Sequence, residues 1–337
     1  MISEENEAKL KYFQFRDLHP HVFMGTASDR YAGWVGQIYS DRRYSNQIKR
    51  RSKTVGGKTY IEEVLPVECV EEYFRHFRIL ELDFTFYRPL LDSDGRPTQN
   101  LHLLRTYSQY LNTEDRLILK VPQTIFARKL RKGNGYLENE QYLDPEIFTR
   151  QFYEPALGLV AAWLDGLVFE QEYQLKQDRP SPKELAAELD AFFGAIPNDC
   201  RYHVELRTDT LLAGPVFNVL ERHGVGQVLS HWTWLPRLSR QFAISGRRFL
   251  NSGRRCIVRL MTPRGTRYED AYARAHPFNT LVEGMLDPKM IDETAWLMKK
   301  ATDQGIQTNV IINNRAGGNA PLIAQQVARR FLAYMSN

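Results

Sequence analysis

The feature that most constrains the fold of this chain is a strand, loop and helix pattern, best seen at residues 308–321. An apolar, β-branched run at residues 310–312 predicts a strand, which stops at two asparagines and an arginine. Paired glycines follow, and Asn319 with Pro321 close behind is typical of the first turn of a helix. Because the same order recurs upstream, we expect functional residues at the ends of the strands.

The recurrence predicts strands at residues 21–28, 79–87, 117–121, 167–173, 202–207, 226–234, 255–261 and 308–312. The predicted helices cover residues 66–77, 98–111, 146–164, 181–193, 211–222, 235–244, 287–305 and 320–334. Since strands and helices alternate and no long antiparallel hairpin is indicated, we expect an α/β fold, a closed (β/α)8 TIM-type barrel, rather than an open doubly wound sheet. We assign residues 1–20 to a polar leader and residues 21–337 to a single barrel domain.

Composition limits the class of protein. Apolar residues make up 43% and charged residues 25%, which is ordinary for a globular protein. No apolar run reaches the roughly 18 residues of a membrane span, and residues 1–16 are too charged for a secretory signal, so we expect a cytoplasmic protein. The three cysteines, Cys69, Cys200 and Cys256, lie far apart, which favours buried thiols over a metal or redox motif. A net charge of +5 is compatible with an anionic ligand.

A basic segment at residues 41–64 follows the first predicted strand. Between positions 41 and 58 it holds seven Lys or Arg residues and one acid, so we expect an inserted, solvated and mobile loop. Alternatively, a loop placed after a barrel strand contributes to a basic rim for a nucleic acid or another polyanion. The residues that would complete such a rim are the cations Arg128, Lys129, Arg131 and Lys132 and, for stacking, Trp34, Trp232 and Trp234.

With the strands placed, several short motifs resemble those of one family. The matching residues are Gly25, Thr26, Trp34, Gly36, Tyr39, Glu81, Asp83, Thr85, Phe86, Tyr87, Lys120, Glu205, Arg207, Arg259, Asn313, Asn314, Gly318, Asn319 and Ala320. Their order resembles the domain of unknown function 72 family, also called YecE-like proteins, over roughly residues 22–325, and the motif of the last strand is the most specific part. The resemblance implies a TIM-type barrel and a divergent member. It implies no established activity.

The chain also departs from the usual pattern of that family, which has Ser-Gly-Trp, Asn, an aromatic residue and His-Gly at four places. The residues found instead are, in the same order, Ala27, Ser28 and Asp29; Asp83; Thr208, Asp209 and Thr210; and Thr262 and Pro263. We expect all four places at the mouth of the barrel. The departures therefore bear on a shared substrate and leave the expected fold intact.

Charged residues near strand ends are the predicted site. Glu205 and Arg207 lie two positions apart, so they face the same side of a strand, where two charges need partners or a ligand. One interpretation is an ion-pair network that only stabilises the barrel. Under the other, which we adopt, the side chains converge on one cavity, and Glu205 is the general acid or base. The further catalytic candidates are Lys120, Glu81 and Asp83, and the substrate-binding candidates are Arg207, Arg259, Asn313, Asn314, Tyr87, Trp34 and Thr26.

The loop after the last strand is a candidate phosphate site, formed by Arg315, Gly317, Gly318 and Asn319. Glycines let backbone N–H groups approach a phosphate, the helix that follows favours negative charge, and many barrels bind phosphate after strands seven and eight. The alternative is that the glycines only make the turn.

We predict no metal and no cofactor. His231 is the only histidine expected at a strand end, and the cations near its candidate partners Glu81, Asp83, Glu172 and Glu205 oppose a second positive charge. The predicted function is acid-base chemistry on an anionic small molecule, for which phosphate is one candidate group, by a hydrolase, lyase or isomerase. The alternatives are a non-catalytic barrel that binds nucleic acid or another polyanion, and a phosphodiester-cleaving barrel.

Overall fold

A computed structural model of the chain describes residues 2–133 and 135–336. Met1 of the predicted leader, Asn134 of the predicted loop after the third strand and Asn337 of the predicted barrel domain lie outside the described residues. The side chains of Arg131 and Lys132, two members of the predicted basic rim, also lie outside the described part.

The strands of the described chain are β1 (Val22–Ala27), β2 (Lys49–Val55), β3 (Lys58–Val64), β4 (Ile79–Leu82), β5 (Arg116–Lys120), β6 (Lys129–Lys132), β7 (Gly135–Glu138), β8 (Leu164–Glu170), β9 (Tyr202–Glu205), β10 (Gly226–His231), β11 (Arg255–Leu260) and β12 (Gln307–Ile312). Hydrogen bonds join β1, β12, β11, β10, β9, β8, β5 and β4, in that order, into a closed barrel. Pairing is parallel between β1 and β12, β5 and β8, β8 and β9, and β9 and β10. The predicted (β/α)8 TIM-type barrel is therefore confirmed.

The α-helices of the described chain are α1 (Glu4–Lys11), α2 (Asp41–Tyr44), α3 (Val70–His76), α4 (Gln99–Ser108), α5 (Gln123–Phe126), α6 (Pro145–Phe148), α7 (Glu154–Val160), α8 (Pro182–Ala195), α9 (Gly214–Arg222), α10 (Leu238–Ile244), α11 (Tyr268–Ala275), α12 (Pro288–Asp303) and α13 (Ala320–Met335). Their first turns follow the predicted signals, since the side chains of Asp144, Ser181, Asp287 and Asn319 accept hydrogen bonds from the turn that each precedes. Over the described residues, no helix is both long enough and apolar enough to cross a membrane.

By internal contacts the chain divides into two compact units. The first contains the residues up to Leu80, Ser230–Ser239 and the residues from Val258 onward. The second contains Glu81–Leu229 and Arg240–Ile257. Thus β1 and β12 belong to the first unit, and β5, β8 and β9 belong to the second.

In the second unit, β8 shows which side chains face the helices and which face the barrel interior. Every residue of β8 is buried. The ring of Phe169 lies 5.3 Å from Phe148 at the end of α6 and 5.9 Å from Phe192 of α8, so Phe169 faces the helices. Because side chains alternate along a strand, Gly166, Val168 and Glu170 face the opposite side, where a Cβ on Gly166 would lie 3.2 Å from Ile118 and Ile257. Glu170 therefore ends a strand with its side chain on the inner face.

Three predicted strands run three or more residues beyond the ends of the observed ones. The strand predicted at residues 79–87 ends at Leu82, and Asp83–Phe86 forms a 3-10 turn in which Thr85 Oγ1 donates hydrogen bonds to the carbonyls of Leu82 and Lys120. The strands predicted to end at residues 173 and 234 end at Glu170 and His231. An alternating pattern reports which face is apolar, but the hydrogen-bonded partner decides where a strand stops.

The segment predicted as a basic loop, residues 41–64, contains helix α2 and the antiparallel hairpin of β2 and β3. Pairing across the hairpin brings the cations of β2 against Glu62 and Glu63 of β3. These two acids lie beyond residues 41–58, the range in which the sequence shows a single acid. Its Val55 and Tyr60 pack with Tyr272 of α11. The charged loop predicted after β5 also contains a hairpin, formed by β6 and β7.

The long helix predicted at residues 146–164 is interrupted. The π-turn Thr149–Tyr153 separates α6 from α7, in which Pro155 occupies the first turn. Proline has no N–H to donate to the carbonyl four residues earlier, which belongs to Gln151. That carbonyl instead accepts hydrogen bonds from the N–H groups of Leu90 and Leu91.

The predicted leader contains helix α1, which packs against α13 of the same unit. Leu10 is fully buried, its carbonyl accepts a hydrogen bond from the Gln325 side chain, and Glu7 pairs with Arg329 at 2.7 Å. The described part of residues 1–20 therefore has contacts with the last helix that their polar composition did not indicate.

Candidate functional site

A network of four charged side chains lies at the ends of β5, β8 and β9 in the second unit. The Lys120 ammonium lies 2.7 Å from Glu170 Oε2, and Arg207 Nη2 lies 2.9 Å from the same oxygen. Arg207 Nη2 also lies 3.3 Å from Glu205 Oε2. We call Lys120, Glu170, Glu205 and Arg207 the ion network. It brings together three of the residues predicted from sequence, Lys120, Glu205 and Arg207.

Backbone pairing places the members of the network. In the parallel register between β8 and β9, Glu170 is the partner of Glu205, so the two carboxylates start from neighbouring positions on adjacent strands. The Gln171 N–H donates to the Glu205 carbonyl, and the Arg207 N–H donates to Gln171 Oε1. The chain is thus held in an extended path past the end of β9, and Arg207 lies on the same side as Glu205.

An aromatic ring supports the lysine. The Lys120 ammonium lies 3.9 Å from the centre of the Phe86 ring, within the range of a cation–π interaction. Phe86 belongs to the 3-10 turn after β4, and that turn is fixed to β5 by the hydrogen bond from Thr85 to the Lys120 carbonyl. The turn that shortened the predicted strand therefore also positions the lysine.

Exposure differs among the four side chains. The side chain of Glu205 is 0% exposed, whereas those of Lys120, Glu170 and Arg207 are 8%, 10% and 13% exposed. A side chain that solvent already reaches can contact a ligand without any rearrangement of the protein. The geometry thus favours Lys120, Glu170 and Arg207 as contacts, with Glu205 beneath them as the residue that holds Arg207.

The sequence did not predict Glu170 as a site residue. The predicted strand, residues 167–173, lies three residues later than the observed β8, Leu164–Glu170. Glu172, the carboxylate named instead, accepts hydrogen bonds from the Arg128 N–H and the Gln174 amide. Burial raises the pKa of Glu172 above its ordinary value. The signal for Glu170 was present in the sequence, since an acid directly follows the apolar residues of β8.

The other candidates of the second unit lie along β4 and its turn. Glu81 is fully buried within β4, and Asp83 is the first residue of the 3-10 turn. Tyr87, predicted to bind substrate, directly follows that turn and is 70% exposed. Their catalytic and binding roles stay predictions.

In the first unit, Trp34 and Asn314 form a buried contact. Asn314 Oδ1 accepts hydrogen bonds from Trp34 Nε1 at 3.1 Å and from the Ala320 N–H at 2.7 Å. Asn314 is 2% exposed and Trp34 is 0% exposed. These hydrogen bonds have a structural role, because they join the turn after β1 to the first turn of α13.

Three further candidates of the first unit are also buried. Thr26 Oγ1 donates to the Ser28 carbonyl, and the Thr26 N–H donates to the Tyr73 hydroxyl of α3. Asn313 Oδ1 accepts from the Arg315 N–H, and Arg259 is 1% exposed within β11. The predicted convergence of these residues with Glu205 on one cavity stays a prediction.

The candidate phosphate loop uses its own backbone donors. The N–H groups of Gly317 and Gly318 both donate to the Asn314 carbonyl, and the Asn319 side chain accepts from the Leu322 N–H. Gly318 has a φ of 113°, and a Cβ there would lie 2.3 Å from the Thr280 carbonyl oxygen. These contacts favour the alternative interpretation, in which the glycines make a close turn against the segment around Thr280. The Arg315 guanidinium lies over the Tyr268 ring at 4.6 Å.

The cations of the β2–β3 hairpin are partly neutralised. Arg51 and Lys53 lie 2.8 and 2.9 Å from Glu62, and Arg50 lies 2.9 Å from Glu63. Trp34, one of the predicted stacking residues, is buried, whereas Trp234 is 45% exposed. The hairpin therefore offers less free positive charge to a polyanion than its sequence suggested.

Two buried histidines predict sensitivity to acid. Burial lowers the pKa of His203 and of His231 from 6.5 to about 4. Between these values the unfolded chain binds the protons and the folded chain does not. Stability should therefore fall as the pH falls from 6.5 towards 4, by at most about 1.4 kcal/mol per pH unit for each histidine.

Urea unfolding at pH 7, 6 and 5 measures this dependence. We expect a shallower dependence in His203→Gln, with exposed His102→Gln as a control that retains the wild-type slope. An unchanged slope in His203→Gln would contradict the prediction.

In the part of the chain that is described, no group of three or more His, Cys, Asp or Glu side chains is arranged to hold a metal ion.

Comparisons with known proteins agree with the barrel. A DUF72 family protein from Enterococcus faecalis V583 has a TM-score of 0.56 and 15% identity, covering 92% of this chain and 95% of that one. A DUF72 family protein from Thermotoga maritima MSB8 has a TM-score of 0.55 and 13% identity, covering 94% of this chain and 99% of that one. At these identities the likeness concerns the fold alone.

The sequence also matches a family model. No curated protein matches the sequence of this chain. The model described as "Protein of unknown function DUF72" matches residues 23–336, almost the whole chain, and the resemblance of the short motifs is confirmed. The chain belongs to the DUF72 family of proteins of unknown function.

Proposed function

We propose that this chain is an enzyme that binds an anionic group of its substrate at the ion network and carries out acid-base chemistry there. The observation that carries the proposal is the position of Glu170 Oε2, which lies 2.7 Å from the Lys120 ammonium and 2.9 Å from Arg207. One cation that ends β5 and one that follows β9 thus converge on a single anionic oxygen. An oxyanion of a substrate would find the same two donors already oriented.

The position in the fold supports the proposal. Active sites of TIM barrels lie at the carboxyl ends of the strands. Lys120 and Glu170 are the last residues of β5 and β8, and Arg207 follows β9. The fold alone names no reaction, so the proposal depends on the side chains.

Glu170 is better placed than Glu205 to transfer a proton. The sequence alone favours Glu205 for this role, but the side chain of Glu205 is 0% exposed. Glu170 is 10% exposed and directly contacts both cations. We therefore assign the acid-base role to Glu170 and assign to Glu205 the positioning of Arg207.

Two substitutions test the assignment against one ligand. A panel of phosphorylated and carboxylated metabolites is first screened by thermal shift, because a ligand that binds only the folded state raises the melting temperature. With a ligand in hand, Lys120→Gln should weaken binding by about tenfold or more, since it loses a charge-assisted contact. Glu170→Gln should bind the ligand at least as well, because it removes a carboxylate that competes for the same two cations.

Turnover separates the two roles. If the ligand is a substrate, Glu170→Gln should lower kcat by roughly 10²- to 10⁴-fold, the usual contribution of a general acid or base. Arg50→Gln, on the exposed face of the β2–β3 hairpin, is the matched control and should change neither binding nor kcat. Wild-type turnover in Glu170→Gln, or unchanged binding in Lys120→Gln, would refute the assignment.

A further inference from the structure

The large exposed apolar side chains described in the second unit lie on three loops. Tyr87 follows β4 and is 70% exposed. The β6–β7 hairpin after β5 carries Tyr136 and Leu137, which are 66% and 54% exposed. The loop after β8 carries Tyr173 and Leu175, which are 42% and 52% exposed. We call these five residues the tyrosine surface.

Two of the three loops of the tyrosine surface follow strands that carry the ion network, β5 and β8, and the third follows β4. β8, β5 and β4 are consecutive neighbours in the barrel. The Tyr87 ring lies 5.5 Å from Phe86, whose own ring supports the Lys120 ammonium. Tyr173 follows Glu170 by three residues. The loops that leave the network therefore lead directly to exposed aromatic rings.

Specific contacts fix two of these loops to each other. The Arg128 N–H donates to Glu172, and the Lys129 ammonium lies 2.7 Å from Asp178. Both contacts join the hairpin after β5 to the loop after β8. Within the latter loop, the Arg179 guanidinium lies 5.7 Å from the Tyr173 ring and donates to its hydroxyl at 3.4 Å. These contacts fix the loops after β5 and β8 relative to each other.

The charge of these loops points to the class of ligand. Arg88 directly follows Tyr87 and Lys176 directly follows Leu175, and both side chains are exposed. Arg179 adds a third cation beside Tyr173, with Asp209 Oδ1 lying 3.8 Å from its Nη1. Exposed rings interleaved with cations are the features with which proteins bind single-stranded nucleic acid, whose bases stack and whose phosphates pair with Lys and Arg.

We propose that the substrate of the ion network is a single-stranded oligonucleotide, with its bases on the tyrosine surface and a phosphate at Lys120 and Arg207. The inference rests on the proposed function only for the position of that phosphate. Tyrosine suits the stacking role because its ring offers a large apolar face while its hydroxyl remains hydrated. An exposed patch of this kind is otherwise costly in a monomer, because it invites association.

Fluorescence anisotropy with labelled ten-residue oligothymidylate and oligoadenylate tests the proposal on the full chain. Wild type should bind both strands, and the affinity should fall steeply between 50 and 200 mM salt, roughly as expected for phosphate contacts. The double variant Tyr136→Ala/Tyr173→Ala should bind at least about tenfold more weakly. Tyr136→Phe/Tyr173→Phe keeps both rings and should bind like wild type.

Two controls separate stacking from charge. Tyr12→Ala removes a tyrosine of the first unit that is 62% exposed and should leave binding unchanged. An abasic strand of the same length retains the phosphates and should bind more weakly than oligothymidylate. Failure of wild type to bind either oligonucleotide, wild-type affinity in the alanine double variant, or equal binding of the abasic strand would overturn the inference.

Lys120→Gln distinguishes this inference from the proposed function. Weaker oligonucleotide binding in Lys120→Gln, together with weaker binding in the alanine double variant, supports both. If the alanine double variant loses binding and Lys120→Gln does not, the stacking surface stands and the phosphate assignment fails. If oligonucleotides do not bind while an anionic metabolite does so through Lys120, the proposed function stands and this inference fails.

Discussion

Replacing Arg207 by methionine should lower the free energy of unfolding by about 3–5 kcal/mol, the usual cost of removing one partner from a buried ion pair. Glu205 is fully buried, and Arg207 Nη2 lies 3.3 Å from its Oε2. Methionine has a similar length but no charge, so the carboxylate loses this compensation in a medium of low polarity. Urea unfolding at pH 7 measures the change.

Two further variants show where the cost arises. Arg50→Met removes a similar ion pair, but its side chains are 75% and 43% exposed, so we expect a change within about 1 kcal/mol. In the double variant Arg207→Met/Glu205→Gln the buried charge is removed together with its partner, and much of the lost stability should return. If Arg207→Met behaves like Arg50→Met, the ion network does not stabilise the barrel.

The outcome also bears on the proposed function. A network that serves only stability and a network that binds substrate both predict a destabilised Arg207→Met. They differ for Glu170→Gln, which keeps the shape of the side chain and leaves the two cations without their shared carboxylate. A structural network predicts a loss of stability with no specific loss of turnover, whereas an active site predicts the reverse.

Gly25→Ala should prevent the chain from folding normally. Gly25 lies in β1, opposite Ile311 of β12. A Cβ at this position would lie 1.9 Å from the Ile79 carbonyl oxygen and 2.8 Å from the Ile79 side chain. A backbone carbonyl inside a sheet cannot turn aside as a flexible side chain can. We therefore expect the free energy of unfolding to fall by roughly 3 kcal/mol or more, which is the upper end of the usual cost of overpacking.

Gly158→Ala is the matched control. Gly158 lies in the exposed face of α7, and a Cβ there would meet nothing within 4 Å. Because glycine is a poor helix former, alanine should stabilise the chain by about 0.5–1 kcal/mol. Circular dichroism and the yield of folded protein measure both variants. A Gly25→Ala chain that folds with wild-type stability would show that β1 and β4 do not approach each other as closely as described.

The fold was predictable because its signals are local. The run that forms β12 and the asparagine at its end stand within a few residues of each other, and Asn319 caps α13 as its sequence context indicated. The capping box of Ser181 and Glu184 is of the same kind. Each such signal depends only on residues that are close in sequence, so it does not require knowledge of the tertiary structure.

The site was predictable only in part. Charged residues on a parallel strand are rare enough to single out Glu205 and Arg207, and Lys120 ends its strand as expected. Glu170 was missed because periodicity locates an apolar face more reliably than the last residue of a strand. The β2–β3 hairpin was missed because its partners lie on a second strand, and the paired acids beyond position 58 decide the charge of its surface.

By itself, then, the sequence determined the alternation of strands and helices, most helix starts and three members of the ion network, because burial and capping follow from the order of nearby residues. Only the tertiary structure decided that Glu170 is the carboxylate shared by Lys120 and Arg207, and that the glycine loop uses its own amides. The ion pairs join atoms from segments far apart in the chain, and the turn of the glycine loop lies close against the distant segment around Thr280. Hydrogen bonds and ion pairs act over about 3 Å, so they exist only where folding brings those segments together.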